Sequence, residues 1–75
     1  MTTKQPPVTW TGDVRACDIC HSALYDKEFF IDGKTRQGPW ALMCLSCWER
    51  RGVSLGMGYG QQYKRTGKDW IKVAG

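Results

Sequence analysis

The two stretches Cys17-Asp18-Ile19-Cys20 and Cys44-Leu45-Ser46-Cys47 decide the fold, because together they contain all four cysteines of this 75-residue chain. Two residues between a pair of thiols allow one tight turn to direct both sulfur atoms at a single ion. Two such turns complete the tetrahedral shell of four thiolates that Zn²⁺ prefers, with Zn–S distances of about 2.3 Å. The spacing therefore predicts one structural zinc ion bound by Cys17, Cys20, Cys44 and Cys47. A closed shell leaves no position for water or substrate, which favours a scaffolding role over catalysis.

The length of the chain explains why a metal is needed. In a single domain of 75 residues, the hydrophobic core alone rarely contributes more than about 3–5 kcal/mol to stability. Structural zinc contributes on the order of 10–16 kcal/mol in comparable small modules, so we expect metal binding and folding to be one event.

Hydropathy and cysteine usage predict the compartment. No stretch of the chain approaches 18 apolar residues, and residues 1–7 (MTTKQPP) carry one lysine without an apolar segment behind it. These features predict no membrane partner and no secretory signal, and therefore a cytoplasmic protein. In a reducing compartment, paired CxxC cysteines hold metal more often than they form disulfides.

The formal net charge of +4 is concentrated near the C-terminus. Four thiolates and one zinc ion would reduce the net charge to about +2. Residues 1–47 balance five Lys and Arg with five Asp and Glu, whereas residues 48–75 hold six Lys and Arg against Glu49 and Asp69. The chain is divided accordingly into a flexible N-terminal arm (1–9), a zinc-binding domain (10–55) and a glycine-rich, basic-aromatic C-terminal segment (56–75).

Local patterns predict a hairpin between the two cysteine pairs and a helix that begins at the second pair. The apolar run 29–31 stops at Asp32-Gly33, a dipeptide typical of a type I′ hairpin turn, and a returning strand should follow over 34–36. A second apolar run, 40–43, leads into Cys44. Good helix formers fill residues 45–51 and stop at Gly52.

The order of these elements predicts the fold class. A zinc knuckle at 17–20, a β-hairpin and a short helix carrying the second ligand pair predict a small α+β zinc-stabilised domain of the treble-clef type, with a zinc ribbon as the structural alternative. Glycines interrupt residues 52–60 and predict an irregular loop. Residues 70–73 are predicted to add a short strand.

The runs CDIC, FFIDGKT, GPWALMCLSCW and GVSLGMGYGQQY, which span residues 17–63, carry a family resemblance. In this order they resemble a mostly uncharacterised family of small bacteriophage zinc-finger proteins. The resemblance implies structural zinc on the same four cysteines, a phage-type origin and therefore the host cell cytoplasm. It places Gly60, Gln61 and Tyr63 in the family's glycine-rich tail and implies no assigned activity.

Other metal chemistries are weighed against zinc. Cys17 to His21 match the CxxCH pattern of covalent haem attachment, but the second cysteine pair and the missing export signal favour zinc. His21 is adjacent to Cys20, which would strain simultaneous binding, so we expect an exposed, neutral imidazole. Iron in a four-thiolate site is chemically possible.

Nucleases of the HNH type build their active site on a treble-clef-like fold. They need histidines and usually an asparagine, whereas this chain has one histidine and no asparagine. We therefore expect no enzymatic activity.

Cations and aromatic rings interleave in the C-terminal part of the chain. Cations can bind phosphates and aromatic rings can stack on bases, so these residues predict a nucleic-acid-binding module with a partner-binding patch. The alternative is a protein-interaction module that binds a host complex such as the transcription machinery, because Trp, Tyr and Arg also dominate protein interfaces. For Trp48, Tyr63 and Trp70 the alternative to partner binding is that their rings fill the core. We expect a monomer without a small-molecule substrate, and a patch formed by Arg50, Arg51, Tyr59, Tyr63, Lys64, Arg65, Lys68, Trp70 and Lys72.

Overall fold

The computed structural model describes residues 8–75, which form a four-stranded antiparallel sheet and one short helix. The strands lie in the spatial order β2-β1-β3-β4. This architecture confirms the prediction of a small α+β domain. Residues 1–7 of the predicted N-terminal arm lie outside the described residues. In chain order the elements are β1 (Phe29–Lys34), β2 (Trp40–Met43), α1 (Leu45–Arg51), β3 (Gly60–Thr66) and β4 (Asp69–Ala74).

Several local predictions are confirmed. Helix α1 ends at Arg51, directly before Gly52, and carries Arg50 and Arg51 in its last turn, where they favour the negative end of the helix dipole. Residues 52–59 contain turns and isolated bridges but neither helix nor strand. Strand β4 includes the predicted segment 70–73. No helix among residues 8–75 has the length and apolar character needed to cross a lipid bilayer.

The predicted turn at Asp32-Gly33 is wrong, because both residues lie inside β1 and pair with strands on both sides. Gly33 stands opposite Ala41 of β2 and Gly60 of β3. A Cβ atom on Gly33 would lie 3.1 Å from the carbonyl oxygen of Tyr59. The glycine therefore permits a close approach of two strands rather than a reversal of the chain.

The chain reverses between β1 and β2 at residues 35–39 instead. Gly38 has a φ of 114°, which glycine adopts without steric cost. The Thr35 side chain is buried, and its hydroxyl donates a hydrogen bond to the Pro39 carbonyl at 2.8 Å. This longer turn lets β1 continue through Lys34 and pair with β2 over residues 31–34.

Strand β3 lies at the centre of the sheet and was not predicted. It pairs with β1 over Phe29–Gly33 on one side and with β4 on the other. The segment 56–75 therefore supplies two of the four strands, and the sheet that contains the β1–β2 hairpin continues directly into it.

One core cluster joins the sheet to the cysteines. The Phe30 ring stacks on Tyr63 with centroids 5.2 Å apart and meets Trp70 edge-on at 4.9 Å. Trp10 packs edge-on against both Phe30 and Tyr63 at 5.4 Å. The buried members of the cluster are Cys17, Leu24, Phe30, Met43, Cys47, Tyr63 and Trp70. Because two metal-ligand candidates belong to this cluster, the metal centre and the apolar core are continuous.

Both outer strands have part of their free edge covered. At β2, the backbone N–H of Asp18 donates to the Leu42 carbonyl, and the Leu42 N–H donates to Asp18 Oδ2, each at 2.8 Å. At β4, the Trp10 N–H donates to the Trp70 carbonyl at 2.9 Å, and Lys72 donates to the carbonyl of residue 8 at 2.8 Å. The knuckle and residues 8–10 are thus fastened to opposite edges of the sheet.

Candidate metal centre

The Sγ atoms of the four cysteines all lie within 4.8 Å of one another. A tetrahedral ion with Zn–S bonds of about 2.3 Å would place its sulfur ligands about 3.8 Å apart. The Cys20 and Cys44 sulfurs are separated by 3.8 Å, and all four thiols are free of disulfides. The donor set and its spacing therefore fit a tetrahedral metal ion such as Zn²⁺.

The first pair of ligands lies on the knuckle, which is a tight turn. The backbone N–H groups of Ile19 and Cys20 point at Cys17 Sγ, with N···S distances of 3.4 and 3.5 Å. Such contacts orient a ligand and stabilise its negative charge. The His21 N–H donates to the Cys17 carbonyl at 2.9 Å, and His21 closes the turn with a φ of 65°.

The second pair is placed by the start of α1. Cys44 is the N-cap residue, with extended backbone angles, and Cys47 lies in the first turn of the helix. The Trp48 N–H donates to the Cys44 carbonyl at 2.9 Å, which fixes the first helical turn. Arg50 Nη2 lies 3.4 Å from Cys47 Sγ and offers a charge-assisted hydrogen bond to its thiolate.

The four thiols differ in burial and in acidity. Hydrogen bonds from the Ser22 side chain and backbone lower the pKa of the exposed Cys20 thiol to about 6. Burial raises the pKa of the Cys47 thiol to about 12, although Arg50 opposes this shift. Metal ligands must be deprotonated. The Cys20 thiol therefore ionises more readily than the Cys47 thiol, and both would be thiolates with a metal bound.

Among residues 8–75 the ligand cluster consists of the four cysteines, and His21 does not belong to it. Its side chain is exposed, as expected. Its left-handed backbone conformation is uncommon for a residue other than glycine and is a consequence of the tight turn after Cys20.

The predicted partner-binding patch is only partly at the surface. Tyr63 and Trp70 lie in the core, with 7% and 9% of their surface exposed, and both pack on Phe30. Their assignment to a partner-binding surface is corrected here, because rings buried to this extent cannot stack on a ligand. Of the aromatic members of the patch, only Tyr59, which is 48% exposed, is available.

The cations of the patch lie at two places. Arg50 and Arg51 are exposed at the C-terminal end of α1. The remaining four lie on or between β3 and β4, where Lys64, Arg65 and Lys68 are exposed and Lys72 is half-buried. Within residues 8–75 the only ion pair joins Arg15 to Asp13 at 3.2 Å, so acidic side chains neutralise none of these six cations.

A groove of about 500 Å³ lies beside the metal centre, between the knuckle, the β1–β2 turn and the end of α1. Three arginines, Arg36, Arg50 and Arg51, line it together with Trp40, which is 48% exposed. Asp18 is the one carboxylate that the described residues contribute to its wall.

Two residues of this groove, Arg36 and Trp40, were missed from the sequence. They were missed because the turn was predicted at Asp32-Gly33, which would leave Arg36 within the returning strand and far from α1. The signal was present in Gly38-Pro39, a turn-forming pair that lies between the arginine and the tryptophan.

Comparison of the chain with protein-family models, with curated proteins and with solved structures finds no match.

Proposed function

We propose that this chain is a structural-zinc module of the treble-clef type that binds nucleic acid through exposed cations. The observation that carries the proposal is the set of exposed cations at the end of α1 and on the β3–β4 hairpin, none of which is paired with a carboxylate in the described part of the chain. Unpaired, exposed Lys and Arg side chains can neutralise phosphates and release counterions.

Zinc is the metal proposed for the four-cysteine cluster. Four sulfur donors in a tetrahedral arrangement suit either zinc or iron. The closed shell and the position of two ligands in the core favour a redox-inert structural ion. The order knuckle, β1–β2 hairpin, α1 supports the treble-clef assignment over the zinc ribbon, because the second ligand pair lies at a helix start rather than in a second knuckle.

The proposed mode of binding is to the phosphate backbone and to unpaired bases. Helix α1 has seven residues, about 10 Å of length, and its first turn holds metal ligands. This helix is too short to read base edges in a major groove, and its first turn is taken up by the metal centre. The phage-type origin suggested by the family resemblance is part of the same proposal.

Fluorescence anisotropy of a labelled 12-nucleotide single strand, titrated with zinc-loaded protein, tests the proposal. With four to six phosphate contacts, log K should fall against log salt with a slope of about −3 to −5. Substituting Lys64, Lys68 and Lys72 together with glutamine should lower both the affinity and the slope while one zinc per chain is retained.

Absence of binding below about 100 μM at low salt would overturn the proposal, because ordinary non-specific affinity is tighter than that. The protein-interaction alternative predicts that outcome, together with a 1:1 complex with a defined host protein that survives nuclease treatment.

A further inference from the structure

We propose that the groove between the knuckle, the β1–β2 turn and the end of α1 binds one unpaired nucleotide, with its base on the Trp40 ring and its phosphate at Arg36 and Arg51. This inference rests on the proposed nucleic-acid function. Arg36 and Trp40 lie outside the predicted partner-binding patch, whereas Arg51 belongs to it.

The walls of the groove are held together by hydrogen bonds. The Arg36 N–H donates to the Arg51 carbonyl at 2.8 Å, and Arg36 Nε lies 3.3 Å from the Gly52 carbonyl oxygen. On the opposite side, Asp18 is fastened to Leu42 by two hydrogen bonds of 2.8 Å. The β1–β2 turn, α1 and the knuckle therefore hold their positions before a ligand arrives, which reduces the entropic cost of binding.

The charge of the groove favours an anion. Among the described residues, three arginines and one carboxylate line the groove, and that carboxylate already accepts the Leu42 N–H. A zinc ion with four thiolates would add a charge of −2 nearby, and Arg50 is directed at Cys47 Sγ, where it offsets part of that charge. Arg36 and Arg51 keep donors for a phosphate, whose oxygens match the planar guanidinium fork.

The size and the aromatic wall select a nucleotide over a bare anion. A groove of about 500 Å³ lies within the range of small-ligand sites. Trp40 stands at its edge, next to Pro39, with 48% of its surface exposed. A base stacks on such a ring only when it is not already stacked and paired in a duplex, so the geometry favours single strands.

The test compares three probes: a 12-nucleotide oligothymidine, a 12-nucleotide oligouridine and a 12-base-pair DNA duplex. Trp40→Ala should weaken binding of the single strands by about 5- to 150-fold, the effect of losing one base–aromatic stack, and binding of the duplex by less than about twofold. Trp40→Phe should restore most of the loss. Tyr25→Ala, which removes a ring 65% exposed outside the groove, is the matched control and should change nothing.

If Trp40→Ala lowers the affinity for oligothymidine and oligouridine equally, the groove binds both DNA and RNA. If the affinity falls for one probe alone, the groove binds that polymer. Arg51→Gln should make the salt slope shallower by about 1, and Arg51→Lys should keep it, because each phosphate contact contributes about one counterion.

Photocrosslinking of the unmodified chain to a 5-iodouridine oligonucleotide, followed by peptide mapping, locates the base without any substitution and should identify residue 40. If single strands bind but the crosslink lies elsewhere and Trp40→Ala binds normally, this inference is wrong while the proposed function stands. If no nucleic acid binds at all, the proposed function itself fails.

Discussion

Asp32 and Gly33 are neighbours in the middle of β1, and each constrains the sheet in a different way. Gly33 lets β1 and β3 approach closely, since a Cβ atom there would lie 3.2 Å from Gly60 Cα. Asp32 places a carboxyl group between β2 and β3, where burial and the charge of Asp18 both raise its pKa. Gly33 therefore contributes to stability because it has no side chain, whereas Asp32 lowers stability because of its charge.

Gly33→Ala should destabilise the zinc-loaded protein by about 1–3 kcal/mol, because the added methyl group must displace backbone atoms of the neighbouring strand. In a domain of this size, each 1 kcal/mol lowers the melting temperature by about 4–8 °C. Lys34→Ala, an exposed change in the same strand, is the control and should shift the melting temperature little. Equal melting temperatures for the two variants would contradict this account of Gly33.

Asp32→Asn should stabilise the protein at neutral pH. A raised pKa means that the folded state favours the protonated carboxyl group, so this contribution to stability is present at low pH and is lost as the pH rises through the folded-state pKa. The asparagine variant does not titrate and escapes that loss.

Denaturant titrations of the wild type and Asp32→Asn at pH 7, and at the lowest pH at which both retain zinc, measure this effect. The advantage of the variant should shrink toward the lower pH, and Asp26→Asn, at an exposed carboxylate, should show no such trend. If the stability advantage of Asp32→Asn over the wild type grew on acidification, the assigned direction of the Asp32 pKa shift would be wrong.

At the scale of elements, the knuckle and the edge strand β2 depend on each other. Asp18 supplies an N–H donor and a carboxylate acceptor to Leu42, so one residue satisfies both outward-facing backbone groups of that position. A metal ion at Cys20 and Cys44 would also join the knuckle to the residue that directly follows β2. The knuckle therefore covers part of the free edge of β2.

Asp18→Ala should cost about 0.5–1.5 kcal/mol, because the Leu42 N–H exchanges its carboxylate acceptor for water at this exposed site. Asp18→Asn retains a side-chain oxygen at the same place and should recover at least half of that loss. Urea denaturation of both variants with zinc bound provides the measurement. If the alanine variant were as stable as the wild type, the contact would contribute nothing to holding the knuckle.

The predictions from sequence succeeded where the signal is local and failed where it depends on pairing. The CxxC spacing, the helix that ends before Gly52 and the glycine-rich loop are each determined by a few adjacent residues. Asp32-Gly33 carries a strong local turn signal that is overridden because two neighbouring strands pair with it. Strand β3 shows no clear alternation, since only Gly60 and Tyr63 are buried along it. Its position is decided by partners distant in the sequence.

At the scale of the whole molecule, the core and the metal centre form one unit. In the described part of the chain the cluster contains seven buried residues, and two of them are Cys17 and Cys47. Helix α1 has seven residues and no side-chain cap, so it is too short to be stable on its own. The predicted set of four cysteine ligands is compatible with this arrangement. The predicted partner-binding patch is divided, because Tyr63 and Trp70 are buried in this small core.

A strong chelator should therefore unfold the chain in a single cooperative step. Far-UV and near-UV circular dichroism should be lost together as zinc is removed, and both should return when zinc is added back. Metal analysis of the purified protein should give one zinc per chain. A chelated chain that keeps its near-UV signal would show that the core is stable without metal.

The covered edges of the sheet connect metal supply to solubility. Exposed strand edges are templates on which other chains can pair, and Asp18 covers the β2 edge only while the knuckle is formed. A chain that has lost its metal would present that edge, together with the aromatic side chains around Phe30, to its neighbours. Shortage of zinc should therefore appear first as aggregation during expression, and supplementing the growth medium should increase the soluble yield before any binding activity is measured.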